Sequence, residues 1–241
     1  ETTGNNKIDF FLSSKLMEVD GYQNNFSEKV LLSNYLPMYF YKPKVTFVLK
    51  KEDILGKNIY SCPQSLFKMH PSFDEAIKKI LHKDKKAQLY FIKDDKEILS
   101  KMFFNRLKNE MPENIDRVNF IDRLTPGEFI HHCGRASVLL DPFWFGAGNT
   151  FHESMLYGTP TVTMPTKYLK SRIVTGAYKQ MQIDDAPIFN NVDDYVDKCI
   201  EIANQENLDL KMYYKEQAEK NLFENLNVID DLENIFKSIV N

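Results

Sequence analysis

The stretch from Leu139 to Pro165 constrains the fold more than any other part of the sequence. It reads LLDPFWFGAGNTFHESMLYGTPTVTMP: a short apolar run, a loop with two glycines, a helical segment and a second apolar run. Strand–loop–helix–strand units of this kind form right-handed crossovers between parallel strands. The pattern therefore predicts an α/β fold in which a loop and the start of a helix follow a buried strand.

The same alternation of apolar runs and helical periodicity recurs along the chain. The predicted strands are residues 7–12, Val45–Leu49, Ile59–Cys62, Gln88–Ile92, Val118–Ile121, Val138–Leu140 and Thr161–Thr163. Helices are predicted to begin at Ser72 with Glu75 as its capping-box partner, at Thr125 with Pro126 and Glu128, and at Thr150 with Glu153; another covers roughly 169–181. We expect residues 44–241 to form a doubly wound parallel sheet, Rossmann-like, with a helical C-terminus. Residues 1–43 are expected to be a linker or the end of a preceding domain.

Composition excludes several classes of function. The 241 residues carry a net charge of −3, so no global field favours nucleic acid. No apolar run of about 18 residues predicts a membrane span, and Glu1 opens a polar segment without the apolar core of a signal peptide. Three scattered cysteines predict reduced thiols and a cytoplasmic protein. The adjacent His131, His132 and Cys133 would diverge on a helix, so no metal site is expected.

The glycine-containing loop is a candidate anion site. Glycines let the backbone approach a ligand closely, and the backbone N–H groups that begin a helix have no intrahelical partner. Gly146, Gly148, Asn149 and Thr150 could therefore hold a diphosphate. The alternative is a flexible turn in which Thr150 caps the helix and binds nothing. The dinucleotide pattern G-x-G-x-x-G is absent, because Phe151 stands at its third glycine.

Four further candidates lie close to predicted strand ends or in the same helix, where ligands bind in doubly wound sheets. Lys68, with Gln64 nearby, could neutralise a diphosphate; otherwise it is a solvated surface lysine. Phe129 could stack on a base or belong to the core. Glu153 could accept hydrogen bonds from ribose hydroxyls or complete the capping box of Thr150. Phosphate and ribose sites together predict a bound sugar nucleotide.

Three segments give the sequence a resemblance to a known family. They are CPQSLFK at 62–68 with His70-Pro71, DPFWFGAGNT at 141–150, and YGTPTVTMP at 157–165. Together they resemble the protein O-linked N-acetylglucosamine transferases and their bacterial relatives, over about residues 8–183. The segment FSEKV at 26–30 with Leu36-Pro37 is similar to the end of that family's N-terminal catalytic domain.

The resemblance implies the C-terminal half of a GT-B catalytic region, which binds a UDP-sugar without a metal or other cofactor. By this likeness Lys68 contacts the diphosphate, Gly148, Asn149 and Thr150 hold phosphate, Glu153 binds ribose and Phe129 stacks on uracil. The reaction implied is inverting transfer of N-acetylglucosamine or another hexose to protein side chains. The acceptor and the catalytic base would depend on an upstream region, so the chain is expected to be part of a longer protein. A non-catalytic nucleotide-sugar module and a GT-B enzyme with a small-molecule or lipid acceptor remain alternatives.

Overall fold

The computed structural model describes residues 2–44 and 58–240. The strands are β1 Phe10–Ser14, β2 Lys29–Ser33, β3 Asn58–Cys62, β4 Ala87–Ile92, β5 Val118–Ile121, β6 Val138–Leu140 and β7 Thr161–Val162. The α-helices are α1 Asp74–Lys83, α2 Ile98–Glu110, α3 Pro126–Arg135, α4 Asn149–Ser154, α5 Ile173–Gln180, α6 Val192–Asn204, α7 Leu208–Asn221 and α8 Leu226–Val240. The strand predicted at Val45–Leu49 lies outside the described residues.

The main sheet has five parallel strands in the order β5-β4-β3-β6-β7. From β3 the chain adds β4 and then β5 on one side. It then crosses back and adds β6 and β7 on the other side of β3. The central strand β3 is buried along its whole length, as expected when helices cover both faces of a parallel sheet. The predicted doubly wound α/β architecture is confirmed. Its switch point lies between β3 and β6, where the loops after these two strands leave the same edge.

Two apolar layers enclose the sheet. On one face α1, α2 and α6 pack against it through residues such as Ile77, Phe103 and Tyr195. On the other face α3 contributes Cys133, which packs against Ile59 and Leu139. A second core joins α4, α5 and α7. All three cysteines are buried and unpaired, as the sequence predicted.

Of the three helix starts predicted from capping patterns, at Ser72, Thr125 and Thr150, one is confirmed. Thr125 and Glu128 form the predicted capping box at α3. The predicted box at Ser72 is wrong, because a 3₁₀ turn occupies Pro71–Phe73 and α1 begins at Asp74. Sequence patterns locate such boundaries poorly, since 3₁₀ turns are frequent at the N-termini of α-helices.

The predicted cap at Thr150 is also wrong. The helix α4 begins one residue earlier, at Asn149, and Gly148 is its N-cap without any side-chain hydrogen bond. Thr150 therefore lies inside the first turn, and Glu153 makes no capping bond to it. The tight loop that precedes the helix sets this start, and the local sequence does not.

The leading segment forms a small parallel pair of strands and packs on the C-terminal helices. β1 pairs with β2, so the predicted strand at 7–12 begins later than expected and a second strand follows it. Asp231 on α8 accepts hydrogen bonds from Ser33 Oγ at 2.7 Å and from Asn34 N at 2.9 Å. Gln180 Oε1 accepts one from Leu36 N at 2.7 Å. The proposed domain boundary at residue 44 stays a prediction.

No helix among the described residues is long and apolar enough to cross a bilayer.

Candidate functional site

The loops that follow β3 and β6 meet through a lysine side chain. Lys68 lies at the end of a short 3₁₀ turn, Leu66–Lys68, six residues beyond the end of β3. Its ammonium donates to Gln64 Oε1 at 2.8 Å and to the Gly146 carbonyl oxygen at 3.0 Å. The Phe145 ring centroid lies 4.4 Å from the same nitrogen. The topology therefore places a fixed cation at the switch point of the sheet.

A cavity of about 370 Å³ opens beside this ammonium. It is lined by seven of the eight residues predicted from the sequence: Gln64, Lys68, Phe129, Gly146, Gly148, Asn149 and Thr150. Within the part of the chain that the structure describes, neither Asn149 nor Thr150 uses its side chain in a hydrogen bond. The first N–H groups of α4 also lack intrahelical partners. The wall opposite Lys68 thus offers unused donors.

The eighth predicted residue lines an adjoining cavity. Glu153 faces a space of about 460 Å³, and Gln64 and Phe129 line both cavities. Burial raises the pKa of Glu153, and among residues 2–44 and 58–240 no hydrogen bond satisfies its carboxylate. A half-buried carboxylate without donors is costly to leave unpaired. It is well suited to accept hydrogen bonds from hydroxyl groups of a ligand.

Phe129 belongs both to the core and to the cavity wall. It is half-buried and packs against two of the apolar clusters, yet it lines both cavities. Around it, the larger of the two cavities is bounded by Leu124 and Pro126 at the start of α3 and by residues 92–95 at the end of β4. The mouth carries a bidentate ion pair, with Arg123 Nη1 2.6 and 2.7 Å from the two carboxylate oxygens of Asp95. Phe129 therefore contributes apolar surface to the walls of both cavities.

Asp141 is a site residue to which the sequence reasoning gave no role. It follows β6 directly and is fully buried; Oδ1 accepts from Ala147 N at 2.6 Å and Oδ2 from Thr163 Oγ1 at 2.7 Å. A Cβ at Gly146 would lie 2.9 Å from Asp141 Oδ2, so any larger residue there would displace the Asp141 carboxylate. Asp141 thereby fixes the loop whose carbonyl holds Lys68. Its position at a strand end was the available signal.

Burial changes the pKa values of both Asp141 and Lys68. Burial raises the pKa of Asp141 to about 7, against hydrogen bonds from Thr163 and Ala147 and the nearby Lys68 ammonium, which lower it. Burial lowers the pKa of Lys68, and the Asp141 carboxylate offsets part of this effect. An anion in the cavity would favour the charged form of Lys68 further. The site is electrostatically prepared for a negatively charged ligand.

Several solved structures share this fold. An O-GlcNAc transferase mutant from Thermobaculum terrenum superposes with a TM-score of 0.86, at 15% identity, covering 98% of this chain and 46% of that one. A sucrose-phosphate synthase from Thermosynechococcus elongatus gives a TM-score of 0.61 at 11% identity, covering 96% of this chain and 58% of that one. The fold is that of a GT-B glycosyltransferase. A mutant of S. aureus TarM, solved with UDP, α-GlcNAc-glycerol and fondaparinux, gives 0.58 at 15% identity, over 96% of this chain and 44% of that one.

Sequence similarity leads to the same group. A UDP-glucose:protein N-beta-glucosyltransferase of Actinobacillus pleuropneumoniae serotype 5b is 24% identical over 215 residues, which is 84% of this chain and 34% of the relative. No family model matches the sequence. The chain is thus similar to protein glycosyltransferases of the GT-B type, as its motifs implied. It spans about a third of the length of these curated relatives.

Proposed function

We propose that the chain binds a UDP-sugar and is the donor-binding part of an inverting glycosyltransferase that transfers a hexose to protein side chains. The observation that carries the proposal is the contact between Lys68 Nζ and the Gly146 carbonyl at 3.0 Å. Because of this contact, the Lys68 ammonium from the loop after β3 and the glycine-containing loop after β6 line the same cavity.

The two adjoining cavities fit the parts of such a donor. The diphosphate would lie between the Lys68 ammonium and the backbone N–H groups at Gly148–Thr150. The ribose hydroxyls would donate to Glu153, and the base would stack on Phe129. Stacking on an aromatic side chain contributes about 1–3 kcal/mol per base. The relatives support this choice, since the curated ones are named for UDP-glucose and one structural neighbour contains UDP.

The proposed chemistry uses the same groups. The acceptor atom attacks the anomeric carbon from the side opposite the diphosphate, so the configuration inverts. The bond between that carbon and the diphosphate oxygen breaks, and its electron pair stays on the β-phosphate. Lys68 and the N–H groups offset the added charge there, which is the kind of electrostatic stabilisation that contributes most to many enzymes. We propose that these groups act without a metal or cofactor. The base that takes the acceptor's proton is assigned to no residue of this chain.

Calorimetric titration with UDP, with and without EDTA, tests the proposal. We expect saturable binding that EDTA leaves unchanged, with UMP weaker because it lacks the second phosphate. Binding of UMP as tight as that of UDP would contradict the assigned diphosphate site. A requirement for Mg²⁺ would contradict the metal-free mechanism. Transfer assays with peptide, lipid and small-molecule acceptors, on the longer enzyme of which this chain is proposed to be a part, then test the acceptor. Transfer to the peptide supports a protein acceptor, and transfer only to a lipid or a small molecule supports that alternative. Absence of any transfer supports a non-catalytic module.

A further inference from the structure

A second cleft lies next to the donor cavity. We call it the aromatic cleft and define it by His70, Trp144, Lys167, Tyr168 and Lys170, with Glu18 on its opposite wall. Its volume is about 640 Å³, larger than either part of the donor site. Nothing in the proposed donor contacts uses these residues.

One loop forms the boundary between the two sites. Trp144 faces the aromatic cleft, and Phe145 and Gly146, which follow it, line the donor cavity. The Gly146 N–H donates to the Lys170 carbonyl at 3.0 Å, which ties the cleft wall to this loop. The centroid of the Phe145 ring lies 4.4 Å from Lys68 Nζ and 5.9 Å from Lys170 Nζ. A ligand in the cleft would therefore lie next to the diphosphate end of the donor.

The cleft exposes aromatic surface in a fixed orientation. Trp144 and Tyr168 are 39% and 41% exposed, although their rings are large and apolar. The ring of Trp144 lies 5.6 Å from that of His70 and 6.0 Å from that of Tyr168. Its Nε1–H donates to Ser72 Oγ at 2.9 Å, so the polar edge of the indole is already satisfied. Neighbouring exposed rings held in this way are typical of a binding surface.

The cleft also carries an excess of positive charge. Lys167 and Lys170 are exposed, and neither forms an ion pair with any carboxylate of the described residues. Lys167 Nζ lies 5.4 Å from the Tyr168 ring centroid. The single carboxylate on the opposite wall, Glu18, accepts a hydrogen bond from Ser13 Oγ at 2.5 Å. The cleft therefore has two ammonium groups without ion pairs and one carboxylate that is already hydrogen-bonded. This local positive charge favours an acidic ligand, although the net charge of the chain is −3.

From this arrangement we infer that the aromatic cleft binds an acidic, extended segment of the acceptor polypeptide. The inference rests on the proposed function, because it places the acceptor beside the donor diphosphate. A neutral hexose would give the two lysines nothing to pair with. A peptide supplies carboxylates for Lys167 and Lys170 and side chains that pack on Trp144 and Tyr168.

The sequence offers a direct probe, because Trp144 is its single tryptophan. We would titrate the chain, with UDP present, with the peptide Ac-EEDSDEE-amide and follow tryptophan fluorescence. A saturable change is expected that weakens at least tenfold between 50 mM and 500 mM NaCl. The basic peptide Ac-KKRSRKK-amide should bind at least tenfold more weakly than the acidic one.

Charge reversal at one lysine distinguishes recognition from mere structural damage. Lys167→Glu should weaken the acidic peptide at least tenfold and strengthen the basic one, while UDP affinity stays within threefold. The matched variant Lys101→Glu, on the exposed face of α2, should change neither. Equal binding of acidic and basic peptides, or an unchanged preference in Lys167→Glu, would overturn the inference. So would stronger binding of polygalacturonate oligomers, which would mark an acidic glycan site. If the unmutated chain did not bind UDP at all, the proposed function would be overturned instead.

Discussion

Replacing Lys68 with alanine removes the one lysine or arginine among the described residues that line the smaller cavity, where the diphosphate is proposed to lie. A unit charge about 4 Å from a phosphate oxygen interacts by about 4 kcal/mol at an effective dielectric constant of 20, which is an upper bound. Part of this is spent on desolvation, since burial already lowers the pKa of the ammonium. Hydrogen bonds to charged groups contribute about 1.5–3 kcal/mol net. We therefore expect Lys68→Ala to weaken UDP binding about 10- to 100-fold.

Calorimetry with UDP and with uridine provides the measurement and its internal control. Uridine carries no phosphate, so its affinity should change by less than threefold in Lys68→Ala. The variant Lys78→Ala, on the exposed face of α1, removes a lysine that lines neither cavity and should bind UDP like the unmutated chain. A threefold or smaller loss of UDP affinity in Lys68→Ala would refute the reasoning. An equal loss for uridine would show that the variant had damaged the cavity as a whole.

Three further predictions concern the loop after β6 and the buried lysine of α7. Gly146→Ala places a carbon 2.9 Å from Asp141 Oδ2, so we expect about 1–3 kcal/mol lower stability by urea denaturation and about tenfold weaker UDP binding; unchanged values would mean the loop yields freely. Asp141 binds a proton in the folded chain that the unfolded chain releases between pH 4 and its raised pKa of about 7, so its contribution to stability falls as pH rises through this range. Asp141→Asn should remove this pH dependence of the unfolding free energy, which amounts to at most about 3 kcal/mol between pH 5 and pH 8, in measurements at these two pH values, and a retained difference would contradict the assignment. Lys211→Met leaves the carbonyls of Gly134 and Ala136 without the donor now 2.7 Å away, which should cost about 2 kcal/mol of unfolding free energy; a fully stable variant would show that water replaces it.

The fold was largely predictable because its signals are local and repeated. Apolar runs alternating with helical periodicity are sufficient to predict parallel strands and crossover helices. Strand ends and helix starts were less accurate, as Ser72 and Thr150 show. There the start depends on a proline that begins a 3₁₀ turn and on the geometry of the preceding loop, and neither appears in a capping pattern. The strand β2 was missed because its apolar run, residues 30–32, is only three residues long.

The candidate site was predictable as a set of residues and not as an arrangement. Strand-end position and the family resemblance together identified Lys68, Glu153 and the glycine-containing loop. Whether Lys68 was a solvated lysine or a site residue depended on a contact 78 residues away. Asp141 offered only its strand-end position as a signal, because its importance comes from its burial and its bond to Thr163. The aromatic cleft likewise joins residues from four separate parts of the chain.

The sequence alone therefore determined the class of fold, the parallel sheet and the types of group available for binding an anion. These follow from short-range periodicity and from the chemistry of single side chains. Only the tertiary structure decided which groups share a cavity, which carboxylates stay without donors and which lysines remain unpaired. The physical reason is that burial and electrostatic coupling depend on distances in space, and the order of the strands in the sheet sets those distances.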